Sequence, residues 1–139
     1  MAYFPDDMPR PEPDWDDRGF WENCKERKLS FQACGKCGEL RHPPRPMCSN
    51  CQSTEIHWID APEEAYVYSY NVVHHVSHPA VATRVPYVGA VLEFERMPGV
   101  RLVTNITDVD PGSVSIGMKL RLWWDDIGDE MYLPRFKPA

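Results

Sequence analysis

From Ala65 to the C-terminus, apolar residues recur at every second position in short runs broken by turn-forming residues. "AYVYSYNVVHH" sets Tyr66, Tyr68, Tyr70 and Val72 on one face of a strand, with Val67, Ser69, Asn71 and Val73 on the other. "PYVGAVLEFE" gathers Val88, Ala90, Leu92 and Phe94 on one face. "VRLVTNITDV", "MKLRLWWDDI" and "EMYLPRF" read as three more strands, and "DPGSVSIG" supplies a turn, with one helical turn, between the third and fourth. Five strands separated by turns, with no long helical period, predict a small closed barrel of the OB type.

Upstream of this the period changes. "DDRGFWENCKERK" predicts a short helix: Asp16 or Asp17 stands at the N-cap, Phe20, Trp21 and Cys24 fall at i, i+1 and i+4, and basic residues gather at the end. "LSFQAC", "ELRHPPRPMC" and "TEIHWID" predict a ribbon whose chain runs into, between and out of two cysteine pairs. Residues 1–15 hold four prolines and several acids, and predict an extended arm that orders only over an underlying surface. The expected division is an arm and short helix over 1–28, a ribbon over 29–60 and a barrel over 61–139, in a chain of mainly β class.

Length and charge narrow the function. The 139 residues suffice for one ordinary domain or two very small ones, and small cores often recruit a metal or a partner. A net charge of −6 argues against a phosphate-backbone binder, so no nucleic-acid partner is expected. No apolar run approaches the roughly 20 residues that cross a bilayer, and the acidic, proline-rich N-terminus does not read as a signal peptide. The expectation is a cytoplasmic protein without a membrane partner, in which reduced cysteines favour a metal over disulfides.

Cys34-x2-Cys37 and Cys48-x2-Cys51 leave ten residues between the pairs. Each Cys-x-x-Cys lets a tight turn aim two thiolates at one cation, and Gly35 and Gly38 ease the backbone around the first. Four thiolates predict a closed, structural Zn2+ site, with iron in a rubredoxin-like site as the lesser alternative. A redox dithiol would come as one pair at a helix start beside a βαβ pattern, which is absent. With every coordination position filled, the metal has no place to activate water. Cys24 stands apart and reads as a small buried residue on the helix.

The remaining chemistry-bearing residues are less pointed. His74, His75 and His78 close the first barrel strand, where His74 and His75 face opposite ways; a lip beside a binding cleft is one reading for His74 and His78. His42, beside the cysteine ligands, reads as solvated. "WWDDIGDE" reads as a buried Trp124 beside an outward Trp123 and an acidic hairpin tip. Tyr66, Tyr68 and Tyr70 suit a core or a protein interface better than base stacking, because no basic groove surrounds them. Arg41, Arg45 and Arg84 are either ordinary solvated cations or contacts for a phosphate such as that of a nucleotide or coenzyme A. No catalytic constellation emerges.

Taken together, "PEPDWDDRGFWENCKERKL", "QACGKCGELRHPPRPMCSNC", "YSYNVVHH", "VPYVGAVLEFE" and "LPRFKP" resemble a family of small zinc-ribbon plus OB-fold proteins, long labelled a domain of unknown function, that accompany thiolase-like enzymes. The resemblance spans nearly the whole chain. It implies a helical segment, a rubredoxin-like ribbon with zinc on Cys34, Cys37, Cys48 and Cys51, and a five-stranded OB barrel. It also implies a non-catalytic accessory subunit for acyl-CoA cleavage of the retro-aldol or Claisen type, as in steroid side-chain degradation. The implied partner is a thiolase-fold, sterol-carrier-protein-x-like subunit in a heterotetramer with two copies of each chain, joined in some members by a hydratase. A scaffold between a thiolase and a hydroxymethylglutaryl-CoA synthase is the family's other theme. On this reading Arg41, Arg45, Arg84, Tyr87, His74 and His78 are the candidates to line a coenzyme A thioester entrance at the partner interface.

Overall fold

The structure, a computed structural model, describes residues 2–139. Among the described residues a single α-helix, α1 (Arg18–Lys25), leads into a three-stranded antiparallel sheet of β1 (Ser30–Cys34), β2 (Leu40–Arg41) and β3 (Ile56–Asp60) in the order β2-β1-β3. Five strands follow: β4 (Glu64–Val73), β5 (Tyr87–Glu93), β6 (Leu102–Ile106), β7 (Lys119–Asp126) and β8 (Tyr132–Pro138). They close a barrel in the order β4-β5-β6-β8-β7, with β6 and β8 as the one parallel pair. The predicted mainly β class, the ribbon and the OB barrel are all present, and Pro111–Ser113 forms the expected helical turn between β6 and β7.

Ribbon and barrel share one core. Phe20 of α1 lies 6.4 Å from Phe31 of β1, Phe31 lies 5.2 Å from Phe94, and Phe94 lies 6.1 Å from Phe136 of β8. These four rings, all buried, thread helix, ribbon and barrel together, so the small ribbon borrows apolar burial that it lacks alone. The helix sits close enough to β3 that a Cβ on Gly19 would fall 2.5 Å from Cζ2 of Trp58.

Strand parity in β5 is as predicted, with Val88, Ala90, Leu92 and Phe94 buried. In β4 it is not. Ala65 and Val67 point inward, the pairing with β5 shifts between Val67 and Ser69, and Tyr70 then packs on the core. A β-bulge at Tyr68–Ser69 inserts one residue and swaps the faces, so Tyr70 lies inward with Val67 while Tyr68 stays exposed. Strict alternation had grouped the three tyrosines on one face.

The helix start also differs from expectation. Asp17 stands at the N-cap, but its side chain caps nothing in α1 and accepts from the backbone N of Asp14. Asp14 does the capping work one turn earlier, accepting from the backbone N of Asp16 and Asp17 at 2.9 and 3.0 Å. Those two N–H groups hold its carboxyl below the usual carboxylate range.

The N-terminal arm is ordered because the barrel gives it partners. Phe4 is buried edge-on against Tyr87 at 5.4 Å, and Arg10 donates to the carbonyls of Ile127 and Gly128 at 2.6 and 2.7 Å. Beneath it lies a buried ion pair, Asp125 with Arg135, which corrects the expectation that the acids of "WWDDIGDE" all sit at the surface. Nor is Trp123 free: half-buried, it donates from Nε1 to Thr107 Oγ1 at 2.8 Å, while Trp124, also half-buried, packs on the core.

Candidate functional site

Each cysteine pair is the elbow of a rubredoxin-type knuckle, and the two knuckles share the same pair of backbone hydrogen bonds. The N–H of Gly38 donates to the Cys34 carbonyl as that of Gln52 donates to the Cys48 carbonyl, both at 2.9 Å. The Cys34 N–H likewise donates to Glu39 and that of Cys48 to Ser53, again at 2.9 Å. The elbows need a left-handed residue at the same place, supplied by Gly38 (φ 81°) in one and by Gln52 (φ 62°) in the other. At Gly35 the requirement is space, since a Cβ there would meet Cβ of Glu55 at 2.8 Å.

These turns bring four Sγ atoms within 4.8 Å of one another. Cys34 and Cys51 approach to 3.6 Å, as do Cys37 and Cys48. Sulfurs at about 2.3 Å from one tetrahedral zinc would lie about 3.8 Å apart, so the set fits the ion with little adjustment. Backbone N–H groups turn toward the sulfurs: Lys36 and Cys37 donate to Cys34 Sγ, and Asn50 donates to Cys48 Sγ, each at 3.4 Å. The Cys37 N–H, helped by Lys36 and opposed by burial, brings the Cys34 thiol down to about 6. The side-chain amide of Asn50 lowers Cys37. At Cys51 the Ser53 N–H lowers the pKa, but burial and the crowded neighbouring thiols push it up to about 11. A cation at the centre replaces those thiol–thiol contacts and favours four thiolates. Four protein sulfurs complete a tetrahedron, so the chemistry is structural.

The candidate ligand residues fall into two groups. In the ribbon loop, Arg41 donates from Nε to Oε1 of the buried Gln32 and from Nη2 to the Arg45 carbonyl, leaving its buried Nη1 without a partner. The Arg45 backbone N donates to the same Gln32 oxygen at 2.8 Å, and its side chain is exposed. At the barrel's other group, Arg84 donates to the Tyr3 carbonyl and stacks over the Tyr3 ring at 4.8 Å, while Tyr87 backs Phe4. His78 accepts the Ala80 N–H on Nδ1 and so starts a helical turn, and His74 is exposed. Among the described residues, no hydrogen bond or ion pair joins the two groups.

His42 is not the solvated residue expected. Its ring packs 5.1 Å from Phe20 and 5.0 Å from Phe31, its Nδ1 is buried without a partner, and burial, against a smaller opposite pull from Asp17, pushes its pKa down to about 4. The sequence signal was its place beside Pro43 and Pro44, residues that wall a loop rather than solvate it. Cys24 is buried as expected, and burial pushes its thiol up to about 12, which rules it out as a nucleophile near neutrality.

The ribbon matches the family described as "ChsH2, rubredoxin-like zinc ribbon domain" over residues 21–57, and the barrel matches "ChsH2, C-terminal OB-fold domain" over 58–125. The chain belongs to the ChsH2 (DUF35) family. A solved structure described as the Ltp2–ChsH2(DUF35) aldolase superposes with a TM-score of 0.85 at 41% identity, over 94% of this chain and 99% of that one. The probable enoyl-CoA hydratase alpha subunit of Thermomonospora curvata is 41% identical over 94% of this chain and 40% of its own length. The 3-oxo-4,17-pregnadiene-20-carboxyl-CoA hydratase alpha subunit of Mycobacterium tuberculosis is 37% identical over 90% of this chain and 39% of its own length. The chain thus spans about two-fifths of these curated relatives. Membership fixes the ion: the four-cysteine site is that of a zinc ribbon. Among the described residues, no helix is long and apolar enough to cross a membrane.

Proposed function

We propose that the chain is a non-catalytic accessory subunit of a cytoplasmic acyl-CoA aldolase or thiolase complex that cleaves a C–C bond in steroid side-chain degradation. The observation that carries this is the near-complete superposition on the ChsH2(DUF35) unit of an aldolase, at an identity high enough to extend beyond fold alone. The chain's own chemistry agrees with an accessory role. Its metal ring is filled by protein, its buried acid is paired with Arg135, and its buried thiol is held protonated.

In this reading a thiolase-fold dimer supplies acid and base, and two copies of this chain dock on it to give a heterotetramer. A hydratase joins the same assembly, as the names of the two curated relatives suggest. The acyl-CoA entrance forms where the partner meets Arg41, Arg45, Arg84, Tyr87, His74 and His78. Arg41 and Arg45 are candidates for a phosphate because, among the described residues, no carboxylate pairs with either; the Arg41 guanidinium is held by Gln32 and the Arg45 carbonyl, and the Arg45 side chain is exposed. Arg84 and Tyr87 act through the arm that they hold. A nucleic-acid role has nothing comparable behind it. The outer β5–β6 face, where OB folds usually bind strands, carries Gly89, Val91 and Val103, and its Arg101 is tied to Glu93.

Co-expression with the thiolase-fold subunit from the same source tests the proposal. The expected result is co-purification in equal amount, a mass equal to two copies of each, and cleavage of an acyl-CoA that neither chain turns over alone. Arg41→Ala and Arg45→Ala should each raise the KM of that complex. A thiolase-fold subunit that runs and turns over separately from this chain would sink the proposal.

A further inference from the structure

Among the described residues three arginines are drawn back from solvent, Arg41, Arg101 and Arg135, while every lysine is exposed. Two of the three meet a carboxylate: Arg101 pairs with Glu93 and Arg135 with Asp125. Arg41 does not. Its Nε donates to Oε1 of Gln32, a neutral amide on β1 that is itself only 1% exposed. In a chain with 21 acids, a half-buried cation held by an uncharged partner is the exception.

The amide holds more than Arg41. The same Oε1 accepts the backbone N–H of Arg45 at 2.8 Å, and Arg41 Nη2 donates to the Arg45 carbonyl at 3.2 Å. Three hydrogen bonds thus tie "RHPPRP" to one buried oxygen, and its prolines stiffen the turn further. Both partners of Oε1 are donors only, so a carboxylate could fill the same place with the same geometry. That exchange would cancel the charge that Gln32 leaves standing. Two acids on adjoining segments are turned elsewhere. Asp17, whose field reaches His42, accepts from the backbone N of Asp14, and Glu39 lies against Cys48 Sγ at 3.7 Å.

Two positive charges on one stiff loop, with no carboxylate paired to either, suit a multiply charged oxyanion such as a phosphoryl group. Arg41 Nη1 is shut off from solvent, so the direct contact falls to the exposed guanidinium of Arg45. Arg41 adds its charge from behind, where partial burial weakens screening. We infer that Gln32 is the positioning residue of this phosphoryl contact: it sets Arg41 and Arg45 in one loop and, being neutral, leaves the Arg41 charge uncancelled. That the phosphoryl group belongs to an acyl-CoA rests on the function proposed above; the part played by Gln32 does not.

The first test uses the whole zinc-loaded chain, with inorganic pyrophosphate as the probe and 31P NMR as the readout. The expected result is a saturable shift that fades as salt is raised and is lost in Arg45→Ala. Gln32→Glu keeps both acceptor bonds but pairs Arg41 with a carboxylate. It should weaken binding about three- to tenfold, at unchanged zinc content and melting temperature. If that variant does not fold, Arg41→Met, which keeps the bond from Gln32 to the Arg45 N–H, should show the same loss. In the complex with the thiolase-fold subunit, Gln32→Glu should raise the KM for acyl-CoA by the same factor. The KM for the matching acyl-pantetheine, which lacks the phosphates, should not move. No saturable shift in the parent, equal affinity without the uncancelled charge, or a KM that rises equally for both substrates would each overturn the inference. A chain that shows the pyrophosphate pattern yet finds no partner sinks the accessory role alone. A working complex whose Gln32→Glu variant binds pyrophosphate as the parent does sinks the role of Gln32 alone.

Discussion

Arg135 of β8 donates from Nε to the carboxylate of Asp125 on β7, and the backbone N of Tyr3 in the arm donates to the same carboxylate at 3.2 Å. One buried acid therefore serves both the barrel and its strap. Arg135 also lies 5.4 Å from the Tyr3 ring and 5.3 Å from that of Phe4, so the arm supplies the lid that makes the pair buried.

Removing one member should be far worse than removing both. Asp125→Ala strands a buried guanidinium and frees the Tyr3 N–H, so urea unfolding should show a loss of about 3–5 kcal/mol. The double variant Asp125→Leu with Arg135→Met should recover most of that loss, because apolar pairs of similar volume often replace buried ion pairs at little cost. Both variants should release the arm, read as faster proteolysis within residues 1–10. A single variant as stable as the parent would show that the pair does not support the barrel.

Zinc should report on the whole fold and not only on the ribbon. Elemental analysis should find one zinc per chain, and a strong chelator should release it. Because Phe31 of the ribbon is stacked into the barrel core, the barrel melting transition should fall with the metal instead of staying where it was. Cys48→Ser should do the same. Cys24 should stay slow toward iodoacetamide in the native chain, its thiol being buried. A barrel that melts unchanged after zinc removal would mean that ribbon and barrel fold independently.

The repeated knuckles give a cleaner backbone test. Gly38 has no atom within 4 Å of a would-be Cβ, so Gly38→Ala isolates the left-handed φ and should cost about 1–2 kcal/mol. Gln52 already bears that strain, and Gln52→Gly relieves it while giving up backbone entropy and its bond to the Ser49 carbonyl. The expected change in melting temperature is therefore a clear drop for Gly38→Ala and little or none for Gln52→Gly. Equal drops would show that the two elbows are not equivalent.

These residues also mark what was legible beforehand. Cysteine spacing and period-two alternation carry local geometry, and they located the ribbon, the zinc ligands and the barrel strands. They carry nothing about which outward face another segment covers. In "LRLWWDD" and "LPRFKP", Asp125 and Arg135 share the outward parity with Trp123 and Leu133, and they are buried because the arm, more than 120 residues away from Asp125 in the chain, lies across them. The same holds for His42, half-buried against Phe20 of the helix and Phe31 of the ribbon. The β4 bulge was hidden for a different reason: an inserted residue leaves the composition of both faces plausible, and "YVYSY" reads equally well with or without it.

Stability should depend on pH through His42. Its native pKa is about 4 against an ordinary value of 6.5, so the unfolded chain binds the proton more readily than the folded one. Stability from this residue is thus complete above about 6.5, declines as pH falls from there toward 4, and levels off below. The gap corresponds to at most about 3 kcal/mol across that window. Urea unfolding at a series of pH values should show a slope between 6.5 and 4 beyond that of the carboxylates. In His42→Phe that extra slope should vanish, the new ring sitting between Phe20 and Phe31 without a proton to lose. A parent and variant with parallel profiles over this window would mean that the imidazole titrates freely in the native state.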